Sequence, residues 1–295
     1  MISTELDIKQ GWSLEDKIVY TEDRIVSWYK HFEGRVYVSF SGGRDSTVLL
    51  HLVRELYPEV PAVFIDTGLE YPEVRQFVKT IENVTFLKPK MNFRQVLQKY
   101  GYPIISKEQA KYIREVQRGT TTYMENKRRG KVLGRNNRPV GSVSKKWQYL
   151  MDQQDVQISE RCCDVLKKNP IRVYEKDSNR VSYVGTMAGD SKLRKQSAEK
   201  YGCNAYSLKN PQSRPLSCWR EEDILNYISK HSIPISTIYS MGYEHTGCVF
   251  CMFGVHLDKG DNRFQRLKKT HPKLHSYCIN KLGCGKALDL IKVPY

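Results

Sequence analysis

Arg35-Val-Tyr-Val-Ser-Phe-Ser-Gly-Gly-Arg-Asp-Ser46 is the stretch that decides the fold. Its first six residues are rich in β-branched and aromatic side chains and read as a buried strand. Gly42 and Gly43 follow, and Thr47 to Tyr57 is apolar at helical spacing until Pro58 stops it. A strand passing through a glycine turn into a helix leaves unpaired helix N–H groups at that turn. The two glycines let the backbone approach an anion closely. The Ser41 and Ser46 hydroxyls then complete a cradle for a phosphate or pyrophosphate, with Ser39, Arg44 and Asp45 beside it. The pattern GxxxxGK[ST] is absent, so ordinary γ-phosphate transfer is not indicated. For the glycine pair alone, a plain βα turn is a sufficient reading.

Outward from this segment, strands alternate with helices. Ser13-Leu-Glu-Asp16 reads as a helix cap, with Leu14, Ile18, Ile25, Trp28 and Phe32 at helical spacing behind it and Gly34 at the end. Ala62 to Asp66, Val84 to Leu87 and Ser182 to Met187 read as further strands, and Pro72 suits the first position of a helix. The expected class is α/β: a Rossmann-like parallel sheet with right-handed crossovers and a C-terminal cysteine-containing helical segment. The expected division is an N-terminal helix over 1–34, a nucleotide-binding α/β domain over 35–240 with a basic insertion at 108–150, and a C-terminal segment over 241–295.

From Lys111 to Lys146 the chain carries eleven Lys or Arg against Glu115 and Glu125. The segment reads as a helix followed by a mobile loop. Its charge, with Tyr112, Tyr123, Trp147 and Tyr149 interleaved, suits the backbone and bases of a tRNA or DNA strand. The net charge of +16 over 295 residues favours anionic partners, or a solvated basic surface. No apolar run approaches 18 residues, which excludes a transmembrane helix. The start lacks the pattern of a signal peptide, so the expectation is a cytoplasmic protein without a membrane partner. There, eight cysteines read as metal ligands or catalytic thiols rather than disulfides.

Ser41-Gly-Gly-Arg-Asp-Ser46, in its strand–turn–helix setting, resembles the PP-loop of the N-type ATP pyrophosphatases. Asp66-Thr67-Gly68, after the next strand, resembles a second element of that adenine nucleotide alpha hydrolase-like superfamily. The adjacent pair Cys162-Cys163 and the pair Cys248-Val-Phe-Cys251 together offer the four soft ligands of a four-iron four-sulfur (4Fe-4S) cluster, with zinc as the alternative. This combination is similar to that of adenylylsulfate reductases. Cys162 to Lys167 follows their CCxxRK pattern except that Leu166 replaces the arginine. A longer resemblance, to the phosphoadenosine phosphosulfate (PAPS) reductase family, runs through Pro215-Leu216, Trp219, Glu222-Asp223, Tyr227, Pro234, Tyr239 and Gly242-Tyr243 to Cys248 and Cys251. Gly185, Ser191 and Arg194 fit the substrate motif GxRxxxSxxR, while Met187 replaces its first arginine.

The resemblance implies a nucleotide site of Ser39, Ser41 to Ser46, Asp66 to Gly68, Gly185, Ser191 and Arg194, and a metal site of Cys162, Cys163, Cys248 and Cys251. It implies ATP, with magnesium, as the ligand, Asp45 as a catalytic residue, and a sulfur donor or redox partner protein. The reductases use a cysteine in a C-terminal ECGxH motif, for which Cys284 in Leu282-Gly-Cys284-Gly is the candidate without the flanking Glu and His, against a buried or structural cysteine at a glycine turn. An intact phosphate loop and the weakened cysteine motif favour ATP-dependent adenylation of an acceptor followed by sulfur transfer. Reduction of a sulfonucleotide to sulfite and a non-catalytic nucleotide-binding module are the alternatives. His271 and His275, four apart, form with Cys278 a separate candidate zinc set, against an ordinary surface helix.

Overall fold

The computed structural model describes residues 5–295. The first four residues of the expected 1–34 segment lie outside the described residues. Short runs of apolar side chains build a six-stranded sheet: β1 (Val36–Ser39), β2 (Ala62–Ile65), β3 (Val84–Leu87), β4 (Val181–Val184), β5 (Asn204–Ala205) and β6 (Gln212–Ser213). The order is β3-β2-β1-β4-β6-β5, parallel throughout except for the β5–β6 pair. Val38 pairs with Ala62 on one side and Tyr183 on the other. Val36, Tyr37 and Val38 are buried, as a central parallel strand covered on both faces must be. The four strands expected from sequence are present within one to three residues. The two-residue β5 and β6 were missed, being too short to show a period.

Chain order runs outward from β1 in both directions, first through β2 and β3, then back through β4. That reversal opens a crevice at the C-terminal ends of β1 and β4, where sheets of this kind take ligands. The helix α1 (Glu5–Gln10) leads into α2 (Leu14–His31), whose Ser13 cap accepts the Asp16 N–H at 3.1 Å. Ile25 and Trp28 of α2 are fully buried, and Lys17 on the same helix is buried in an ion pair with Asp223 at 2.7 Å. The helix α3 (Arg44–Leu56) leaves the glycine turn, and α4 (Pro72–Lys79) begins on its proline.

All of these elements belong to one compact unit, which runs to Asp66 and takes in Glu70–Lys88 and Ile171–Thr246. The second unit collects Thr67–Leu69, Pro89–Pro170 and Gly247–Tyr295. The units therefore cut across the linear division: residues 89–170 and 247–295 cluster together. The second unit is helical, and its β pairing among the described residues is limited to isolated bridges such as Tyr102 with Ile158. Gly101 makes that bridge accessible. Its φ is +105°, and the Gln157 carbonyl stands where a Cβ would have to go, so only glycine fits.

The basic segment follows the expected order of helix and loop, with a second helix added. Lys107–Gln117 and Thr122–Arg128 are followed by irregular chain over 129–144, closed by a Leu133–Pro139 bridge, and by a 3-10 stretch, Lys145–Asp152. The helices are held by three arginines with internal carboxylate partners. Arg114 grips Glu160 through two bonds of 2.9 and 3.0 Å, Arg128 holds Glu115 at 2.7 Å, and Arg129 holds Glu125 and Asp152 at 2.9 and 2.7 Å. No helix among the described residues is long and apolar enough to cross a membrane.

Candidate nucleotide site and thiol pocket

At the end of β1 the chain turns at Gly42, in the left-handed region at φ +73°. A Cβ there would stand 2.7 Å from Val78 and 2.8 Å from Val74 of α4, so both conformation and packing demand glycine. Gly43 caps α3 in extended geometry. The Ser46 hydroxyl accepts the Ser41 N–H at 3.2 Å, lies 3.0 Å from the Ser41 hydroxyl and donates to the Gly43 carbonyl at 2.9 Å. The two serines thus face each other across the turn. Gly185, just beyond β4, lies against the first turn of α3, where a Cβ would be 3.0 Å from the Asp45 carbonyl oxygen. The structure brings together Ser39, Ser41 to Ser46 and Gly185 at the crevice.

One residue of this loop is engaged by a group that the sequence reading placed only within the family pattern. The Arg44 N–H, the first of α3, donates to the Tyr239 hydroxyl at 2.9 Å, and the Arg44 guanidinium lies 4.6 Å from the centre of that ring. The hydroxyls of Tyr239 and Thr246 are 3.3 Å apart, and Thr246 is the nearest side chain to a Cβ at Gly43. Arg44 also bonds Glu221 and the Glu244 carbonyl, at 3.0 and 2.7 Å. Tyr239 and Thr246 are therefore loop-facing residues beyond those expected. Their signal, a polar pair far along the chain, is invisible without the fold.

Burial pushes the Asp45 carboxyl above its ordinary value, and the carboxylate of Asp190 adds to the shift. Ser191 caps the helix Lys192–Tyr201, accepting the Arg194 N–H at 3.2 Å, and the Arg194 guanidinium is paired with Asp190. An anion there must draw Arg194 away from that carboxylate. Asp66, at the end of β2, is paired with Arg75 at 2.7 Å. Thr67 and Gly68 fall in the second unit; Thr67 is buried and its hydroxyl accepts the Leu69 N–H at 3.1 Å, while Gly68 has φ +74°.

In the second unit Cys162, Cys163, Cys248 and Cys251 line one pocket, walled by Leu69, Phe93, Leu166 and Phe250. The Cys162 and Cys163 sulfurs are 3.9 Å apart at the start of a helical turn that continues as a π-type turn, Asp164–Lys168. The Cys248–Cys251 turn is closed by the Cys251 N–H bonding the Cys248 carbonyl at 3.0 Å and moored by the Val249 N–H on the Leu69 carbonyl at 2.7 Å. The Cys162 thiol, donating to Cys163, holds the latter below the ordinary thiol range, and Lys107 and Lys167 act in the same sense. Burial raises Cys251. Leu166, where the family pattern has arginine, is a buried wall of the pocket.

No disulfide joins any of the eight cysteines. Among the described residues no group of three or more His, Cys, Asp or Glu forms a ready-made cage for a single metal ion. The donor chemistry nevertheless fits a cluster: four thiols face one apolar space, and two lysines offset the negative charge that thiolates and cluster would bring.

Cys284 is fully buried beside Cys278, which is also fully buried and whose thiol the hydrogen bond to Cys284 pushes up. A nucleophile expected to meet substrate is thus found enclosed by packing. His275 is buried too, with Nε2 unpartnered, while His271 lies 2.8 Å from the Thr270 hydroxyl. The segment is a surface helix with one buried face: Pro272, Lys273, Ser276 and Tyr277 are exposed, while His275 and Cys278 point inward. The exposed cations of the basic segment are Lys111, Arg118, Lys131, Arg135, Arg138, Lys145 and Lys146; Trp147 is buried, and Arg128 stacks 3.8 Å from the Tyr112 ring.

Comparison with known proteins adds the following. The family model described as "Phosphoadenosine phosphosulfate reductase domain" matches residues 35–112 and 104–253. An adenosine 5'-phosphosulfate reductase of Bacillus cereus is 24% identical over 261 residues, 85% of this chain and 88% of that protein. An uncharacterized protein of Methanocaldococcus jannaschii is 24% identical over 277 residues, 91% of this chain but 53% of that longer protein. Among solved structures, the phosphoadenylyl-sulfate reductase of Candida auris aligns with a TM-score of 0.44 at 14% identity, covering 77% of this chain and 87% of that one.

Proposed function

The chain belongs to the phosphoadenosine phosphosulfate reductase domain family, and from that premise we propose that it binds ATP at Ser41–Ser46 and adenylates an acceptor for sulfur transfer. The observation that carries this reading is the complete phosphate cradle, in which Ser41, Gly42, Gly43 and Ser46 present hydroxyls and a helix N-terminus at the switch point of the sheet. In this reading a phosphate oxygen takes the Arg44 N–H from the Tyr239 hydroxyl, the same donor meeting a stronger, charged acceptor.

The acceptor oxygen attacks the α-phosphorus, the α–β phosphate bond breaks, and pyrophosphate leaves carrying the electron pair. The loop N–H groups and the Ser41 and Ser46 hydroxyls stabilise the charge that accumulates on the leaving oxygens. Asp45 is the residue to hold magnesium, which neutralises the phosphates when bound. Adenylation makes AMP the leaving group, so a sulfur nucleophile can then displace it. Cys162, Cys163, Cys248 and Cys251 would hold a 4Fe-4S cluster, which supplies electrons or a soft site for sulfur when bound. The exposed lysines and arginines of residues 111–146 supply a surface for a nucleic-acid acceptor.

A second reading, sulfonucleotide reductase, is favoured by the name of the Bacillus relative, adenosine 5'-phosphosulfate reductase. It needs a thiol to attack the sulfonate sulfur, and Cys284 could do so only after the surrounding helices open, since it is fully buried. Anaerobically purified protein incubated with ATP or with adenosine phosphosulfate separates the readings. Pyrophosphate release dependent on an acceptor supports adenylation, sulfite release supports reduction, and binding without turnover of either leaves a nucleotide-binding module.

A further inference from the structure

A cavity of about 340 Å³ lies in the second unit, and none of its lining residues belongs to the phosphate cradle or the thiol pocket. One wall is aromatic. Trp147 and His256 meet there with ring centroids 5.3 Å apart and planes at 79°, and Tyr149 lies beside Trp147 at 6.5 Å. Nδ1 of His256 is buried and has no hydrogen-bond partner in the protein. Burial and the neighbouring Lys146 ammonium hold this imidazole below its ordinary pKa. Nδ1 is closed off by its surroundings, so His256 contributes its ring to the cavity wall.

The cavity's charge has one sign. Lys146 and Lys292 line it and are exposed, and the single lining carboxylate, Asp258, is neutralised by Arg263 through bonds of 2.8 and 3.0 Å. The side chains thus offer an aromatic wall together with two cations, Lys146 itself lying 4.6 Å from the centre of the Trp147 ring. The volume is that of a small-molecule site. A heteroaromatic base joined to a phosphate matches all three properties. A bare metal ion would leave the rings idle, and a sugar would leave the lysines without an anion.

We propose that this cavity binds a nucleoside monophosphate, the base against Trp147 and His256 and the phosphate against Lys146 and Lys292. The site goes beyond the family reading, because it uses neither the phosphate loop nor the cysteines.

The test is calorimetry with AMP, adenosine and inorganic phosphate on the full chain carrying Gly43→Val, where a side chain meeting the Thr246 hydroxyl obstructs the phosphate cradle. AMP should still bind at one site per chain. Adding Lys146→Glu and Lys292→Glu should weaken AMP at least about tenfold while leaving adenosine within about twofold, as expected for loss of charge-assisted bonds to phosphate. His256→Ala, which removes the ring, should weaken AMP and adenosine alike. Absence of AMP binding to the Gly43→Val protein overturns the proposal. So does equal AMP affinity with and without the two lysines, or inorganic phosphate binding as tightly as AMP. The lysine positions are exposed, so that variant decides even if His256→Ala fails to fold. Wild-type ATP binding, measured in parallel, reports on the phosphate loop separately.

Discussion

The Tyr239 hydroxyl accepts the first N–H of α3, from Arg44, at 2.9 Å, and so occupies a donor that a helix N-terminus offers to an anion. Tyr239→Phe removes that acceptor. The ligand-free protein should lose about 1 kcal/mol of stability, the net value of one hydrogen bond, whereas ATP affinity should rise because no internal acceptor has to be displaced. Thermal unfolding with and without ATP measures both. A fall in ATP affinity would mean that the tyrosine serves the nucleotide directly.

Ser46→Ala strands two partners at once, the Ser41 N–H and the Ser41 hydroxyl. ATP binding should weaken by about 1–3 kcal/mol, the usual cost of an unsatisfied polar partner. Titration calorimetry of the two proteins gives the difference directly, and an unchanged affinity would remove Ser46 from the site.

Protein purified without oxygen should be brown, with about four irons and four acid-labile sulfides per chain, as the cluster type requires. Cys163→Ser or Cys251→Ser should abolish the colour. Stoichiometric zinc without sulfide would refute the cluster.

In metal-free protein, Cys163 should react with iodoacetamide at pH 7 ahead of Cys251. Its lowered pKa gives it more thiolate at that pH, whereas burial raises Cys251. Raising the pH through the ordinary thiol range should narrow the gap. Lys107→Met and Lys167→Met together should slow Cys163, read by mass spectrometry against a time course.

Reversal of charge at Lys131, Arg135, Arg138 and Lys145 should weaken binding of labelled single-stranded DNA or tRNA. It should also flatten the salt dependence, by about 0.7 in slope for each phosphate that is no longer neutralised. These four residues are exposed. Arg128 and Arg129 are poor choices despite their place in the basic run, because their carboxylate partners hold the fold. Equal anisotropy curves for both proteins would return the segment to a solubilising role.

The α/β class was legible because β1, the glycine turn and α3 are contiguous, and local chemistry determines all three. The thiol pairing was legible for a different reason: the four cysteines are the chain's two close pairs, and the structure lines one pocket with both. Long-range polar contacts were not. Nothing near Arg44 announces Tyr239, and no count of charges along residues 111–146 reveals that Glu160 and Asp152 wait for its arginines. The burial of Cys284 was one of two readings that the sequence left open. A glycine turn reads the same whether the cysteine beside it faces solvent or a packed core.

The interleaving of the two units has a bearing on how the protein is made. Cys163 leaves the ribosome well before Cys248, and the stretch between them builds the other unit. At roughly 5–20 residues per second, some 85 residues take about 4–17 s. Throughout that interval the first thiol pair has no second pair to share a ligand with. If the four thiols hold the proposed cluster, oxygen and stray zinc or copper compete for the first pair during that interval. Slow translation in air should therefore yield more colourless protein than fast translation, even when the final folded state is the same.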